Sequence, residues 1–114
     1  MDYPEHYRKL RKLMGGLGKE IPGTMQAFSR LHETAVEAGA LSQKEKELIS
    51  LGIAITVRCD GCIAFHVKGA MDAGGSREEI METIGVAVLM GGGPSVMYGC
   101  EALEAVEQFS EERS

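Results

Sequence analysis

The 114-residue sequence contains no tryptophan, and its only aromatic residues besides histidine are three tyrosines and three phenylalanines. A core without many large rings has to be assembled from aliphatic side chains and methionine. The seven methionines and fifteen glycines suit closely packed helices joined by short loops. With 44% hydrophobic residues, the sequence fits one domain over residues 1–114 with a modest core.

The sequence also lacks a basic stripe and a long apolar run. Its net charge is −5 and its basic cluster at residues 8–12 is short, so no nucleic-acid partner is expected. The longest apolar run, near residues 84–90, is too short to cross a bilayer, so we expect no membrane association. Residues 1–20 hold no apolar stretch typical of a secretory signal, which predicts a cytoplasmic protein.

Apolar residues recur at three- and four-residue steps almost throughout, and no long alternating segment predicts a sheet. The predicted fold class is therefore all-α, with about six helices around a central antiparallel pair. The expected helices cover about residues 4–14, 22–39, 43–57, 60–75, 76–90 and 95–109, and the tail 110–114 is expected to fray.

Local signals set several of these boundaries. Ser42–Glu45 and Ser76–Glu79 each match a capping box at a helix start, and Asp60 is expected to cap the fourth helix. The glycines at 15, 16 and 18 are expected to end the first helix. The run 91–93 precedes a helix, but no strand precedes it and it lacks the lysine of a P-loop, so an interhelical turn is favoured over a phosphate site.

The main chemical motif is Cys59-Asp60-Gly61-Cys62 followed by His66. In a reducing compartment, such a pair of thiols is more typical of redox chemistry or metal binding than of a structural disulfide. Both cysteines fall in the first turn of a predicted helix, whose dipole favours a thiolate. His66 lies four residues after Cys62 on the same helix face and can take its proton.

Glu47 is the predicted third member of this arrangement, because a carboxylate can orient the imidazole. The third and fourth helices must form a hairpin, since few residues join them. Glu47 lies roughly 18 Å of helix rise before Cys59, and His66 only about 10 Å after it. Tilt, loop geometry or a bridging water is therefore needed to bring Glu47 to His66.

The pattern of Glu47, Cys59-x-x-Cys62 and His66 resembles the alkyl hydroperoxidase D-like branch of the carboxymuconolactone decarboxylase family. The resemblance covers roughly residues 20–109. It implies an all-helical fold assembled as a trimer or hexamer. It also implies a thiol-dependent peroxidase or disulfide reductase that acts on a peroxide or disulfide substrate and takes electrons from a dithiol reductant.

The resemblance further implies the role of each residue. Cys62 would be activated through His66 with help from Glu47, peroxide would oxidise it to a sulfenic acid, and Cys59 would resolve this into the Cys59–Cys62 disulfide. One departure is Gly61, where peroxidase members carry a second histidine that assists the proton relay. Dithiol–disulfide exchange is the activity that this departure leaves intact.

Several alternatives stay open. The cysteines and His66 could hold zinc if Cys100 or a distant histidine completed the set, or the thiols could be inert core residues. We expect no metal and no cofactor. His6 and His32 are predicted to be ordinary solvent-facing or satisfied histidines, and Cys100 to be packed in the core. The methionines at 71, 81, 90 and 97 are expected to fill the core or a subunit interface.

Two other functions also remain possible for the chain. The first is a lyase that decarboxylates a small lactone, as members of the family without cysteines do; the retained thiols argue against it. The second is a non-catalytic redox-sensing module, in which oxidation changes the binding of a partner without turnover.

Overall fold

The structure is a computed structural model that describes residues 1–113. The described residues form six α-helices and no strand, which confirms the predicted all-α fold class. The helices are α1 (Tyr3–Glu20), α2 (Pro22–Val36), α3 (Gln43–Thr56), α4 (Asp60–Asp72), α5 (Arg77–Gly91) and α6 (Gly93–Arg113). No helix within residues 1–113 is both long enough and apolar enough to span a membrane.

Helix α3 lies at the centre of the fold and packs against α2, α4, α5 and α6. Its most extensive contact is with α4, and a connection of only three residues, 57–59, joins the two helices. Leu51 and Ile55 from α3 and Ile63 and Val67 from α4 are fully buried along this contact. These two helices are the central pair that the sequence predicts.

The two predicted capping boxes are both present. The Ser42 hydroxyl accepts a hydrogen bond from the Glu45 N–H at 3.0 Å, and the Glu45 carboxylate accepts one from the Ser42 N–H at 2.8 Å. Ser76 and Glu79 repeat this exchange at the start of α5, at 3.1 and 2.9 Å. Each box satisfies two backbone groups that a helix start would otherwise leave unpaired.

The expected end of the first helix near residues 15–18 is wrong, since α1 continues to Glu20. A glycine costs a helix only about 1 kcal/mol relative to alanine. Packing of α1 against α2, α4 and α6 offsets that cost. The chain turns instead at Ile21, directly before Pro22, which occupies the first turn of α2.

The C-terminal part of the chain is more ordered than expected. Helix α6 reaches Arg113, so the predicted fraying of 110–113 is wrong, and Ser114 lies outside the described residues. Arg8 donates to Glu112 at 2.8 Å, and Arg113 forms an ion pair with Asp72. These ion pairs tie the end of α6 to α1 and α4.

The predicted turn at 91–93 is present, but it is shorter than expected. Gly92 alone separates α5 from α6, and its φ of 68° lies in the left-handed region that favours glycine. Helix α6 therefore begins at Gly93, two residues before the expected start.

One burial expectation also differs from the structure. Cys100 was expected in the core, but it is exposed on α6 as a free thiol. Helix α2 has no buried residue.

Candidate redox site

The cysteine pair lies at the start of α4. Cys59 and Cys62 are joined by a disulfide, and their Cα atoms are 5.2 Å apart. Both residues are partly buried. Cys59, rather than the expected Asp60, is the N-cap of α4, because its Sγ accepts the backbone N–H of Cys62 at 3.2 Å. The sulfur of Cys59 therefore faces the positive end of the helix dipole.

Glu47 and His66 are in direct contact. Oε2 of Glu47 lies 2.9 Å from Nδ1 of His66, and the two side chains are 7% and 21% exposed. Because an ionised carboxylate only accepts hydrogen bonds, Nδ1 carries the proton and Nε2 stays available. The predicted pairing therefore forms without a bridging water.

Gly69 explains how Glu47 reaches His66. Residues 47 and 69 are each eleven positions from Arg58 in the connection, so they lie at the same level of the two helices. A Cβ atom on residue 69 would lie 2.5 Å from Oε2 of Glu47 and 2.9 Å from its Cδ. The bare backbone of Gly69 thus provides the space for the carboxylate, which extends one helical turn back to His66. Sequence reasoning missed this role of Gly69.

His66 follows Cys62 by four residues, so the two lie on one face of α4, one turn apart. Within residues 1–113, no hydrogen bond joins the imidazole of His66 to either sulfur. The structure thus holds the oxidised pair next to an oriented imidazole. The assignment of Cys62 as the attacking sulfur stays a prediction.

His32 is the second residue that sequence reasoning missed. Its ring on α2 lies 6.4 Å from the ring of His66, centroid to centroid, with an angle of 27° between their planes. His32 is exposed, as expected, but it is not remote from the site. Helix α2, which packs against α1 and α3, brings it there, and no local sequence signal reports that approach. His6, in contrast, contacts the ring of Tyr3 edge-on.

A cluster of acidic and phenolic groups lies next to the cysteine pair. Burial raises the pKa of the Glu101 carboxyl, and the hydrogen bond and negative charge of Asp60 raise it further. Burial, followed by the charges of Glu101 and Asp60, raises the pKa of the fully buried Tyr3 as well. The proximity of Asp60 thus disfavours the ionised form of the Glu101 carboxyl.

Gly61, the second of the two residues between the cysteines, is covered by α1. A Cβ atom on Gly61 would lie 3.0 Å from Cδ1 of Leu10. The side chain of Leu10 therefore occupies the space into which a larger residue at position 61 would extend.

Residues 1–113 contain no group of three or more histidine, cysteine, aspartate or glutamate side chains arranged to hold a metal ion. The zinc alternative required Cys100 or a distant histidine as a further ligand. Cys100 is a free, exposed thiol on α6, and both Cys59 and Cys62 are engaged in the disulfide.

Comparisons with known proteins give the family of the chain. Residues 22–105 match the model of the carboxymuconolactone decarboxylase family. A family member from Legionella pneumophila has a structure with a TM-score of 0.92 and 44% identity, covering 95% of this chain and 96% of that one. A member from Thermotoga maritima, for which a part in an antioxidative response has been suggested, has a TM-score of 0.74 and 30% identity, covering 79% and 93%.

An uncharacterised protein of Haemophilus influenzae is 38% identical over 104 residues, which cover 91% of this chain and 92% of that protein. The match of the family model and these similarities agree with the helical fold. The chain belongs to the carboxymuconolactone decarboxylase family.

Proposed function

We propose that the protein is a thiol-dependent oxidoreductase that cycles Cys59 and Cys62 between dithiol and disulfide. The observation that carries the proposal is the disulfide at the start of α4, one helical turn from an imidazole that Glu47 orients. A thiol at a helix N-terminus with a base nearby has the environment that favours the reactive thiolate.

In the reductive half of the cycle, a thiolate of a dithiol donor attacks the Cys59–Cys62 disulfide. The S–S bond breaks, a mixed disulfide forms, and the released cysteine thiolate takes the proton that the imidazole of His66 has accepted from solvent at Nε2. The second thiol of the donor then displaces the remaining cysteine. The donor leaves as a disulfide, and both cysteines become thiols, so two electrons and two protons have been transferred.

In the oxidative half, the Cys62 thiolate attacks a peroxide ROOH after His66 has taken its proton. The O–O bond breaks, Cys62 becomes a sulfenic acid, and the alkoxide leaves as ROH with that proton. The Cys59 thiol then attacks the sulfur of Cys62, which releases water and restores the disulfide. When the substrate is a disulfide instead, Cys62 forms a mixed disulfide that Cys59 resolves.

Two observations support this cycle. Glu47 is buried against His66 and can stabilise the imidazolium that forms when His66 accepts a proton. The suggested antioxidative role of the Thermotoga maritima relative agrees with chemistry at a redox-active cysteine pair.

We also propose that the protein assembles as a homo-oligomer, a trimer or hexamer. One open groove of about 490 Å³ between α3 and α5 is lined almost entirely by apolar groups. Ile53 is 56% exposed there and Met90 76%. An apolar surface of this kind on a small chain is typical of a subunit interface.

The test of the redox function compares three variants for peroxide consumption and for reduction of a model disulfide with dithiothreitol as donor. Cys62→Ser should lose both activities by about a hundredfold or more, because the attacking sulfur is gone. Cys59→Ser should accumulate a sulfenic acid at Cys62, detected by dimedone labelling and mass spectrometry. Cys100→Ser is the matched control and should behave as wild type.

Wild-type rates in both Cys59→Ser and Cys62→Ser would contradict the proposal. If the double variant also converted a small lactone with release of carbon dioxide, the lyase alternative would replace it. Oxidation by one equivalent of peroxide should remove two hydrogen atoms across Cys59 and Cys62 and leave Cys100 unchanged.

A further inference from the structure

His32 gives His66 a second polar neighbour besides Glu47. His66 contacts the carboxylate through Nδ1, and the ring of His32 lies 6.4 Å away at an angle of 27°. His66 is mostly buried, whereas His32 is exposed on α2. The more exposed imidazole of His32 thus lies beside the more buried imidazole of His66.

Helix α1 also fills the space next to position 61, into which a second imidazole would otherwise extend. In the peroxidases that the sequence resembles, a histidine stands between the two cysteines. Here that residue is Gly61, and Leu10 of α1 lies 3.0 Å from the position of a Cβ atom there. Position 61 thus carries no imidazole, and the imidazole that lies near His66 is that of His32 on α2.

We propose that His32 exchanges protons between His66 and solvent during the thiol cycle; this inference rests on the redox function proposed above. His32 does not touch the sulfurs and acts through His66, so it is a positioning residue rather than a catalytic one. When the disulfide is opened, His66 protonates the released thiolate, and His32 returns one proton to Nε2 of His66. When Cys62 is deprotonated, the same proton leaves by the reverse route.

The distance between the rings suits transfer through one water molecule, because nearly parallel imidazoles do not direct their N–H groups at each other. Glu47 on α3 is the charged group in contact with this pair, and Arg30 and Glu33 lie near His32 along α2.

The experiment measures the reduction of the Cys59–Cys62 disulfide by dithiothreitol in stopped flow, between about pH 5 and pH 9 and at low buffer concentration. The variants are His32→Gln, His32→Phe and the control His6→Gln, which removes a histidine on α1. We expect both His32 variants to react about tenfold more slowly and imidazole added to the buffer to restore the rate. His6→Gln should keep the wild-type pH profile.

A wild-type rate and pH profile in His32→Phe would overturn the inference, because phenylalanine keeps the ring packing but transfers no proton. A loss that imidazole does not rescue in either variant would overturn it as well. Failure of the redox function itself gives a different result, since Cys62→Ser would then match wild type in the peroxide and model-disulfide turnover assays. NMR measurement of how fast the ring N–H of His66 exchanges with solvent gives a readout independent of turnover: the exchange should slow in His32→Gln and stay the same in His6→Gln.

Discussion

The carboxylate of Glu47 lies directly over the backbone of Gly69, so close that a Cβ atom at position 69 would overlap with it. Glu47 is buried in this position and bonds to His66 one turn away. The orientation of the imidazole therefore depends on Gly69, a residue with no side chain. Gly69 lies outside the motif of Cys59, Cys62 and His66.

Substitution of Gly69 by alanine should separate Glu47 from His66. The added Cβ would meet Oε2 at 2.5 Å, so the carboxylate must rotate away. We expect the rate of disulfide reduction to fall by about ten- to a hundredfold, as when a catalytic group is displaced by about 1 Å. The loss of the Nδ1 hydrogen bond should appear in the nitrogen NMR shifts of His66.

Gly85→Ala is the matched control for this change. Gly85 lies within α5, and a Cβ atom there would meet nothing within 4 Å. The control should keep full activity and gain up to about 1 kcal/mol in the free energy of unfolding. Equal activity in Gly69→Ala and Gly85→Ala would show that Gly69 does not position Glu47.

The two partners of the buried pair should respond unequally to substitution. His66→Ala leaves the Glu47 carboxylate buried without its partner, so we expect a loss of about 3 kcal/mol in the free energy of unfolding. Glu47→Gln keeps a neutral group that can still bond to the imidazole, and should cost about 1 kcal/mol. Urea denaturation at pH 7 measures both values. Equal losses would mean that the charge of Glu47 is not effectively buried.

Stability should fall as the pH rises through the titration of Glu101. Its raised pKa means that the folded chain keeps a proton that the unfolded chain has already lost, so unfolding releases a proton in this window. The contribution is present below the ordinary glutamate pKa and is lost above the raised one. Glu101→Gln removes this dependence and can still donate to Asp60, so it should be about 1 kcal/mol more stable than wild type at neutral pH.

Thermal or urea unfolding at several pH values checks this expectation. Glu111→Gln, exposed on the same helix, is the control and should keep the pH dependence of wild type. A Glu101→Gln variant with an unchanged pH profile would show that the raised pKa of Glu101 does not cause the pH dependence.

A charge placed in the groove of α3 and α5 should break the assembly. Ile53→Glu puts a carboxylate among apolar side chains that a second copy would have to cover, so the protein should elute as a smaller species. Light scattering coupled to size exclusion gives the mass. Leu13→Glu, an equally exposed apolar position on α1, is the control. Equal dissociation in both variants would contradict the choice of this groove.

Sequence signals predicted the features that depend on near neighbours. Ser42 and Ser76 were found as caps because a capping box is complete within four residues. The pairing of Glu47 with His66 was found because a three-residue connection forces a hairpin. The end of α1 was missed because contacts with other helices, rather than the local glycines, decide where it stops.

The rest of the site depends on tertiary approach. Nothing in the residues around Gly69 or His32 indicates which helix lies opposite, so neither role can be found from spacing alone. The same is true of Cys59, whose sulfur takes the capping bond expected for Asp60. Asp60 instead faces Glu101, which is forty-one positions away in the chain.

Glu47 and Gly69 are equally far from Arg58 in the chain. The geometry of the site therefore depends on the number of residues between Glu47 and Gly69. Substitution of residue 57 or 58 leaves the register of the two helices unchanged. Insertion or deletion of a single residue in α3 after Glu47, or in α4 before Gly69, rotates that residue by about 100° around its helix axis. Homologues that keep this chemistry can therefore vary at positions 57 and 58, but should conserve the number of residues between positions 47 and 69 together with Cys59, Cys62 and His66.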